Sequence, residues 1–248
     1  MLHRRISQFL IIYFTGITFL LSIKYALNLS DYVIPCPADI GTTFLQVFPM
    51  YSSDVMDTLS VAVISQVLSI CLAFLVGIIG RRTTWFGSFV KVAAYNIQAY
   101  PIVALAPIIF ILLGDGFLPR LLIATMICYF PLLLSVLGIM SQPITDIEHF
   151  YRVTGRMRWQ LEVKIRAYEN MNKLTTVIVG SATLAMAGAI VGEFIAADSG
   201  IGYSIRIALY QSDLSRILIA LFMIGISISL YQGLLEWSGY LAKKKWTD

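Results

Sequence analysis

Residues 58–80 read TLSVAVISQVLSICLAFLVGIIG, a run of 23 without Asp, Glu, Lys or Arg. A helix needs about 20 mainly apolar residues to cross the roughly 30 Å hydrocarbon core of a bilayer. This stretch alone is long enough to span. Working outward from it, the same test selects residues 6–28, 92–114, 121–141, 174–197 and 217–242. Two of these segments carry an internal acid, Glu193 and Glu236, and the first carries Lys24. The chain therefore reads as an all-α integral membrane protein, one domain over 1–248 with six transmembrane helices.

Composition supports this reading. The 248 residues are 58% hydrophobic and 13% charged, with a mean hydropathy of +0.80. Soluble domains carry roughly a quarter charged residues, so an ordinary soluble fold is excluded, as are disorder and collagen. Cys36, Cys71 and Cys128 are odd in number and scattered, so no disulfide framework is expected.

The cations set an orientation, because Lys and Arg are retained on the cytoplasmic side. With the N-terminus inside, 14 cations fall inside: Arg4, Arg5, Arg81, Arg82, Lys91, Arg152, Arg156, Arg158, Lys164, Arg166, Lys173, Lys243, Lys244 and Lys245. Only Lys24, Arg120, Arg206 and Arg216 fall outside. Both termini are thus expected in the cytoplasm. His3-Arg4-Arg5 followed by an apolar run resembles a signal peptide, but no small-x-small cleavage site follows closely, so a retained helix is expected.

The connections are uneven. Residues 114–120 form a tight outside turn, and 30–57 form a longer outside segment with Asp31, Asp39, Asp54 and Asp57. Residues 142–173 make the one large inside loop. Charges alternate there with Ile144, Ile147, Phe150, Tyr151, Trp159 and Leu161. That apolar content points to short surface helices rather than disorder.

Catalytic signals fail in turn. GxxxxGK[ST] is absent, so no phosphate loop of that kind exists. His3 and His149 are far apart and form no metal motif. Ser181 has no membrane-embedded His to activate it. No enzyme activity, cofactor, metal or nucleic-acid partner is expected. Gly180, Ser181, Ala182, Ala185, Ala187, Gly188 and Gly192 instead form a small-residue face suited to close helix approach. Ala182, Ala185 and Gly188 are expected to face a subunit interface. Gln66, Asn96, Gln98 and Gln232 read as interhelical hydrogen-bonding residues, and Pro101, Pro107 and Pro131 as kinks. Tyr95, Tyr100, Tyr129 and Phe130 read as packing or interfacial aromatics. An ionisable group within the bilayer is costly, and two readings of Glu193 stay open. It reaches headgroup water or a helix cap, or it lines a path or gate.

Four stretches resemble one family when read in order. VIPCPADI (33–40) is similar to an "LPSPxEV" lead-in, and QAYPIVALAP (98–107) to an "xxxPxxALxPL" helix. VTGRMRWQL (153–161) is similar to "TLGASRWQL", and VGEFIAADSGIGY (191–203) to "VVAEMLGASSGLGYLI". These motifs are those of the inner-membrane permeases of bacterial type I ABC importers, nitrate/sulfonate/taurine-type branch. The resemblance covers the chain from about Val33 onward. It departs at the EAA motif, whose Glu-Ala-Ala falls on His149-Phe150-Tyr151, with Glu148 adjacent, and whose Leu-Pro falls on Ala167-Tyr168.

The resemblance implies a type I permease fold in the bacterial inner membrane, with no cofactor of its own. It implies ABC ATPase subunits, a second permease subunit (identical or different) and an extracytoplasmic binding protein as partners. It places ATPase coupling on Glu148, His149, Phe150, Tyr151, Arg152, Gly155, Arg158 and Trp159. The substrate path or gate is expected at Asn96, Gln98, Tyr100, Pro101 and Glu193. Small anions are the implied solutes, with relatives that carry heterocyclic vitamin precursors, and the aromatics favour a heterocycle. Two alternatives differ in class. An ion-gradient-driven transporter needs buried carboxylates and has only Glu193 and Glu236 to offer. A non-transporting scaffold would follow from the altered EAA motif.

Overall fold

The computed structural model describes residues 2–82, 84–141, 165 and 167–247. In chain order the helices are α1 (Leu2–Ala26), α2 (Pro37–Arg82), α3 (Thr84–Ala99), α4 (Ile102–Leu113), α5 (Phe117–Ser141), α6 (Met171–Ile195), α7 (Ile201–Tyr210) and α8 (Leu214–Thr247). Five of them are long and apolar enough to cross a membrane. Counting the bent α3–α4 pair as one span gives six. The six-helix reading therefore holds, although several boundaries move.

The largest difference lies in residues 37–57, read from sequence as part of an outside loop. They are the first half of α2, which has 46 residues and is about 69 Å long at 1.5 Å per residue. Pro37 opens the helix, where its missing N–H costs nothing, and Asp39 lies in the first turn against the helix dipole. Ile40, Phe44, Val47, Tyr51 and Val55 recur at helical spacing. They pack against Ile201 of α7 and against Ile219 and Ala220 of α8. The acids of this segment hid a helical apolar stripe.

The centre of the bundle is α2, α5 and α6. Val61 and Ala62 of α2, Ala124 and Cys128 of α5, and Ala185, Met186 and Ala189 of α6 form one buried cluster. Between apolar helices in lipid, close van der Waals contact replaces the hydrophobic effect as the cohesive force. Small side chains make that contact possible: a Cβ on Gly188 would lie 2.7 Å from the Ala124 Cα. This corrects one expectation. Ala182 and Ala185 are fully buried and Gly188 meets α5, so this face is used within the chain. The stripe of α6 that stays exposed contains Gly180, Thr183 and Ala187.

The third span, expected as one helix over 92–114, is two helices bent by 85° at Tyr100–Pro101. Proline removes a helix donor and drives the preceding residue away from helical angles. Pro101 is extended at φ −67°, ψ 107°, and caps α4 without a side-chain bond. Pro49, Pro107 and Pro131 lie inside α2, α4 and α5 without ending them.

α1 lies against α8. The Tyr13 hydroxyl donates to the Leu218 carbonyl at 3.0 Å, and the Tyr13 ring is 5.0 Å from that of Phe222. Arg5 pairs with Glu236 and donates to Gln232 Oε1 at 2.8 Å. Glu236 is therefore a structural partner of α1.

Candidate functional site

Two polar assemblies and one broken span organise the bundle. The first surrounds Glu193, which lies near the end of α6 and is completely buried. Its Oε2 accepts from the Thr58 hydroxyl at 2.7 Å and from the Gly202 amide at 3.0 Å. Thr58 Oγ1 in turn accepts from the Ile201 amide at 2.9 Å. The second carboxylate oxygen faces Arg120 Nη1 at 3.5 Å, an ion pair held by charge rather than by an aligned hydrogen bond. Arg120 also lies 3.6 Å from Asp57, which is half exposed, and its Nε donates to the Gly116 carbonyl at 3.2 Å. One charge network thus runs from solvent to the buried carboxylate.

The loop between α6 and α7 folds back onto Glu193, and two glycines permit this. Gly200 has φ +93°, and a Cβ there would fall on the Glu193 carboxylate. A Cβ on Gly202 would be 2.5 Å from the Ile190 carbonyl oxygen. Only a residue without a side chain avoids both penalties. Arg206 closes the turn by donating to the Phe194 and Ala197 carbonyls at 3.2 and 2.6 Å. Ser199 and Ser204 donate to Asp57 and Asp54 of α2 at 3.2 and 2.5 Å. Glu193 therefore joins α2, α5, α6 and α7, and presents no open surface in this chain.

The second assembly is centred on Gln66. Its amide nitrogen donates to the Ile178 carbonyl at 2.8 Å and to Ser181 Oγ at 2.9 Å, and Tyr231 OH donates to Gln66 Oε1 at 2.5 Å. Gln232 donates to Thr183 Oγ1 at 2.7 Å. These contacts bear out the interhelical reading of Gln66 and Gln232. Ser181 is a hydrogen-bonding link between helices.

The α3–α4 break collects the remaining path residues. Asn96, Tyr100 and Pro101 are exposed. Gln98 is half-buried, and its amide nitrogen lies out of solvent with no hydrogen-bond partner among the described residues. The geometry therefore separates Glu193 from the other four. Sequence reasoning missed Thr58 and Arg120 as partners of Glu193. The signal available for the fold-back was the spacing Glu193-x₆-Gly200-x-Gly202. The coupling residues Glu148, His149, Phe150, Tyr151, Arg152, Gly155, Arg158 and Trp159 lie outside the described residues.

Long apolar helices, a broken span and polar groups that join helices define a multi-pass membrane protein. The chain belongs to the family of binding-protein-dependent transport system inner membrane components, which it matches over residues 69–238. It is 38% identical over 143 residues to the riboflavin transport system permease protein RibX of Chloroflexus aurantiacus, covering 56% of this chain and 53% of RibX. The match thus spans about half of that relative's length. It is 22% identical over 200 residues to the formylaminopyrimidine transport permease protein ThiX of Halalkalibacterium halodurans, covering 79% of this chain and 78% of ThiX. A probable ABC transporter permease protein of Haemophilus influenzae is 24% identical over 172 residues, 66% of this chain and 69% of the relative. Neither named solute belongs to the nitrate/sulfonate/taurine group. The chain is thus an inner-membrane permease component of an ABC transport system.

Proposed function

We propose that this chain forms a solute path together with a second permease subunit, and that the solute is a small heterocycle delivered by a binding protein. The break at Tyr100–Pro101 carries this reading. Non-helical backbone at membrane depth is tolerated only where protein covers it or water reaches it. Tyr100 and Pro101 are exposed on the single chain, so a second subunit or an aqueous path lies against them. Tyr95 and Tyr100 beside the break are exposed and offer flat apolar faces to a ring. The named solutes of RibX and ThiX support a heterocycle over a small inorganic anion.

Energy enters through the loop at 142–173 from a separate ATPase, and both termini lie in the cytoplasm. The ion-gradient alternative is weakened because Glu193 and Glu236 are both engaged in ion pairs. The test is uptake into vesicles containing the chain with its ATPase and binding protein. Labelled riboflavin or an aminopyrimidine is expected to enter in an ATP-dependent manner, and Tyr100→Ala to reduce entry. Uptake of nitrate or taurine in their place overturns the heterocycle assignment.

A further inference from the structure

The end of α1 and the lead-in to α2 meet in a cluster of three side chains. Lys24 Nζ donates to Asp31 Oδ1 at 2.5 Å and to Cys36 Sγ at 3.4 Å, and the Cys36 thiol donates to the same Asp31 oxygen at 3.0 Å. Lys24 is buried, Cys36 is partly exposed and Asp31 is exposed. The corner that brings them together is held by its own backbone. Asn28 turns the chain at φ +51°, the Leu29 N–H donates to the Lys24 carbonyl at 2.9 Å, and the Ile34 N–H donates to the Ser30 carbonyl at 3.2 Å. A lysine at the end of a candidate span needs a counter-charge, and Asp31 supplies it. That pairing leaves unexplained why a thiol also touches the amine.

We propose that Cys36 and Lys24 form an oxidative modification site, at which a peroxide joins the sulfur to the amine nitrogen as a sulfenamide. In the first step the Cys36 sulfur, its proton lost to solvent, attacks one oxygen of hydrogen peroxide. The S–O bond forms, the O–O bond breaks, and the leaving hydroxide takes up a proton as water. The sulfur is oxidised to a sulfenic acid and the peroxide is reduced. In the second step the Lys24 amine, its extra proton lost to solvent, attacks that sulfur. The S–N bond forms, the S–O bond breaks, and the hydroxyl leaves as water with a proton from the nitrogen, so no further oxidant is used. Sulfenic acids condense with thiols and with backbone nitrogen in this way. An amine already in contact with the sulfur has an effective concentration that a free thiol does not reach. The hydrogen bond to Asp31 raises the Cys36 thiol above its usual range, so the reduced cluster resists oxidation until peroxide is in excess. The link would tie α1, which otherwise lies against α8, to the start of α2. The chemistry rests on this contact and requires neither the orientation nor the solute proposed above.

The test is peptide mapping by mass spectrometry of the purified full chain in detergent, after hydrogen peroxide in mildly alkaline buffer. Chymotryptic cleavage after Tyr25 and Tyr32, both exposed, separates Lys24 from Cys36. The wild type is expected to yield the two peptides joined, at their summed mass less dihydrogen, and a reducing thiol is expected to part them. Lys24→Arg keeps the charge, but its guanidinium stays protonated. Cys36 is then expected to stop at the sulfenic acid, and its labelling by dimedone to rise severalfold over wild type. Separate peptides with only an oxidised Cys36 in the wild type overturn the proposal, whether or not the variant folds. A joined product that retains an oxygen atom also overturns it, as does a disulfide between two chains through Cys36. Equal dimedone labelling of wild type and Lys24→Arg has the same force.

Discussion

Thr58 and Glu193, 135 residues apart, share a 2.7 Å hydrogen bond that fixes α2 to the far end of α6. The carboxylate they share with Gly202 and Arg120 is fully enclosed, so it acts first as a strut. Glu193→Ala removes two acceptors and leaves Arg120 without its buried counter-charge. Breaking such a pair costs about 3–5 kcal/mol. Glu193→Gln keeps an acceptor for Thr58 and Gly202 and loses only the charge, so it is expected to cost less. Melting followed by fluorescence in detergent checks the order. Accumulation of Glu193→Gln at wild-type level with reduced uptake would add a gating role to the strut.

Gly202→Ala tests the fold-back directly. The added methyl meets the Ile190 carbonyl and the Glu193 Cβ, which are backbone and near-backbone atoms that cannot swing aside. Overpacking of this kind costs about 1–3 kcal/mol. The α6–α7 turn is expected to open, which raises the reactivity of a cysteine placed at Tyr203 toward an aqueous thiol reagent. Unchanged reactivity and melting would show that α7 does not depend on this contact.

Much of this was legible in the sequence, and the limits have physical causes. The spans at 58–80 and 121–141 are runs without charge, and composition alone fixes them. The stripe from Ile40 to Val55 carried the helical period, yet Asp39, Asp54 and Asp57 made it look like a loop. Pro101 and Pro131 look alike in sequence, but only the first coincides with a break. Whether a proline bends or ends a helix depends on which neighbours satisfy the freed carbonyls, and those neighbours are not local. Arg120 and Thr58 were unreadable as partners of Glu193 for the same reason. The interhelical reading holds for Gln66 and Gln232, whose amides meet partners on neighbouring helices, but not for Asn96, which is exposed, or Gln98, whose amide nitrogen has no hydrogen-bond partner among the described residues.

The Gln66 assembly gives a graded series. Tyr231→Phe removes the hydroxyl that donates to Gln66 Oε1 and leaves a buried acceptor unpaired, a loss of about 1 kcal/mol. Gln66→Leu removes the amide that also bonded the Ile178 carbonyl and Ser181, so its loss is expected to be the larger. The double variant is expected to lose less than the sum, because the two side chains share one bond. Thermal melts of the four proteins check this, and strict additivity would mean that the contact contributes nothing.

The cations give the topology that is expected. A cavity that joins Arg4 and Arg5 to Lys243 and Lys244 places four of the expected inside residues at one end of the bundle. Reporter fusions at Gly116 and Gln211 are expected to read outside, and those at Thr84, Ile147 and Trp246 inside. An inside signal at Gly116 would invert the arrangement and move the proposed ATPase surface to the wrong side.

The coupling surface is the remaining expectation. α5 ends at Ser141 and α6 begins at Met171, and Met171 lines the same cavity as Arg4 and Lys243. α6 therefore begins at the basic end of the bundle, where an ATPase would dock under the proposed orientation. The sequence between Ser141 and Met171 supplies Phe150, Tyr151 and Trp159, residue types that anchor the buried centres of interfaces. Arg152 and Arg158 would steer docking from the rim, and Gly155 would permit a turn that other residues resist. Glu148 stands one position before the site of the missing family Glu, which His149 occupies, so the docking groove of this chain's ATPase is expected to be altered to match. Phe150→Ala and Gly155→Asp are expected to abolish capture of the partner ATPase, with membrane insertion and melting unchanged. The alternative is that these aromatics and arginines rest on lipid headgroups. In that case both variants capture the ATPase as wild type does, and the coupling surface lies elsewhere on the chain.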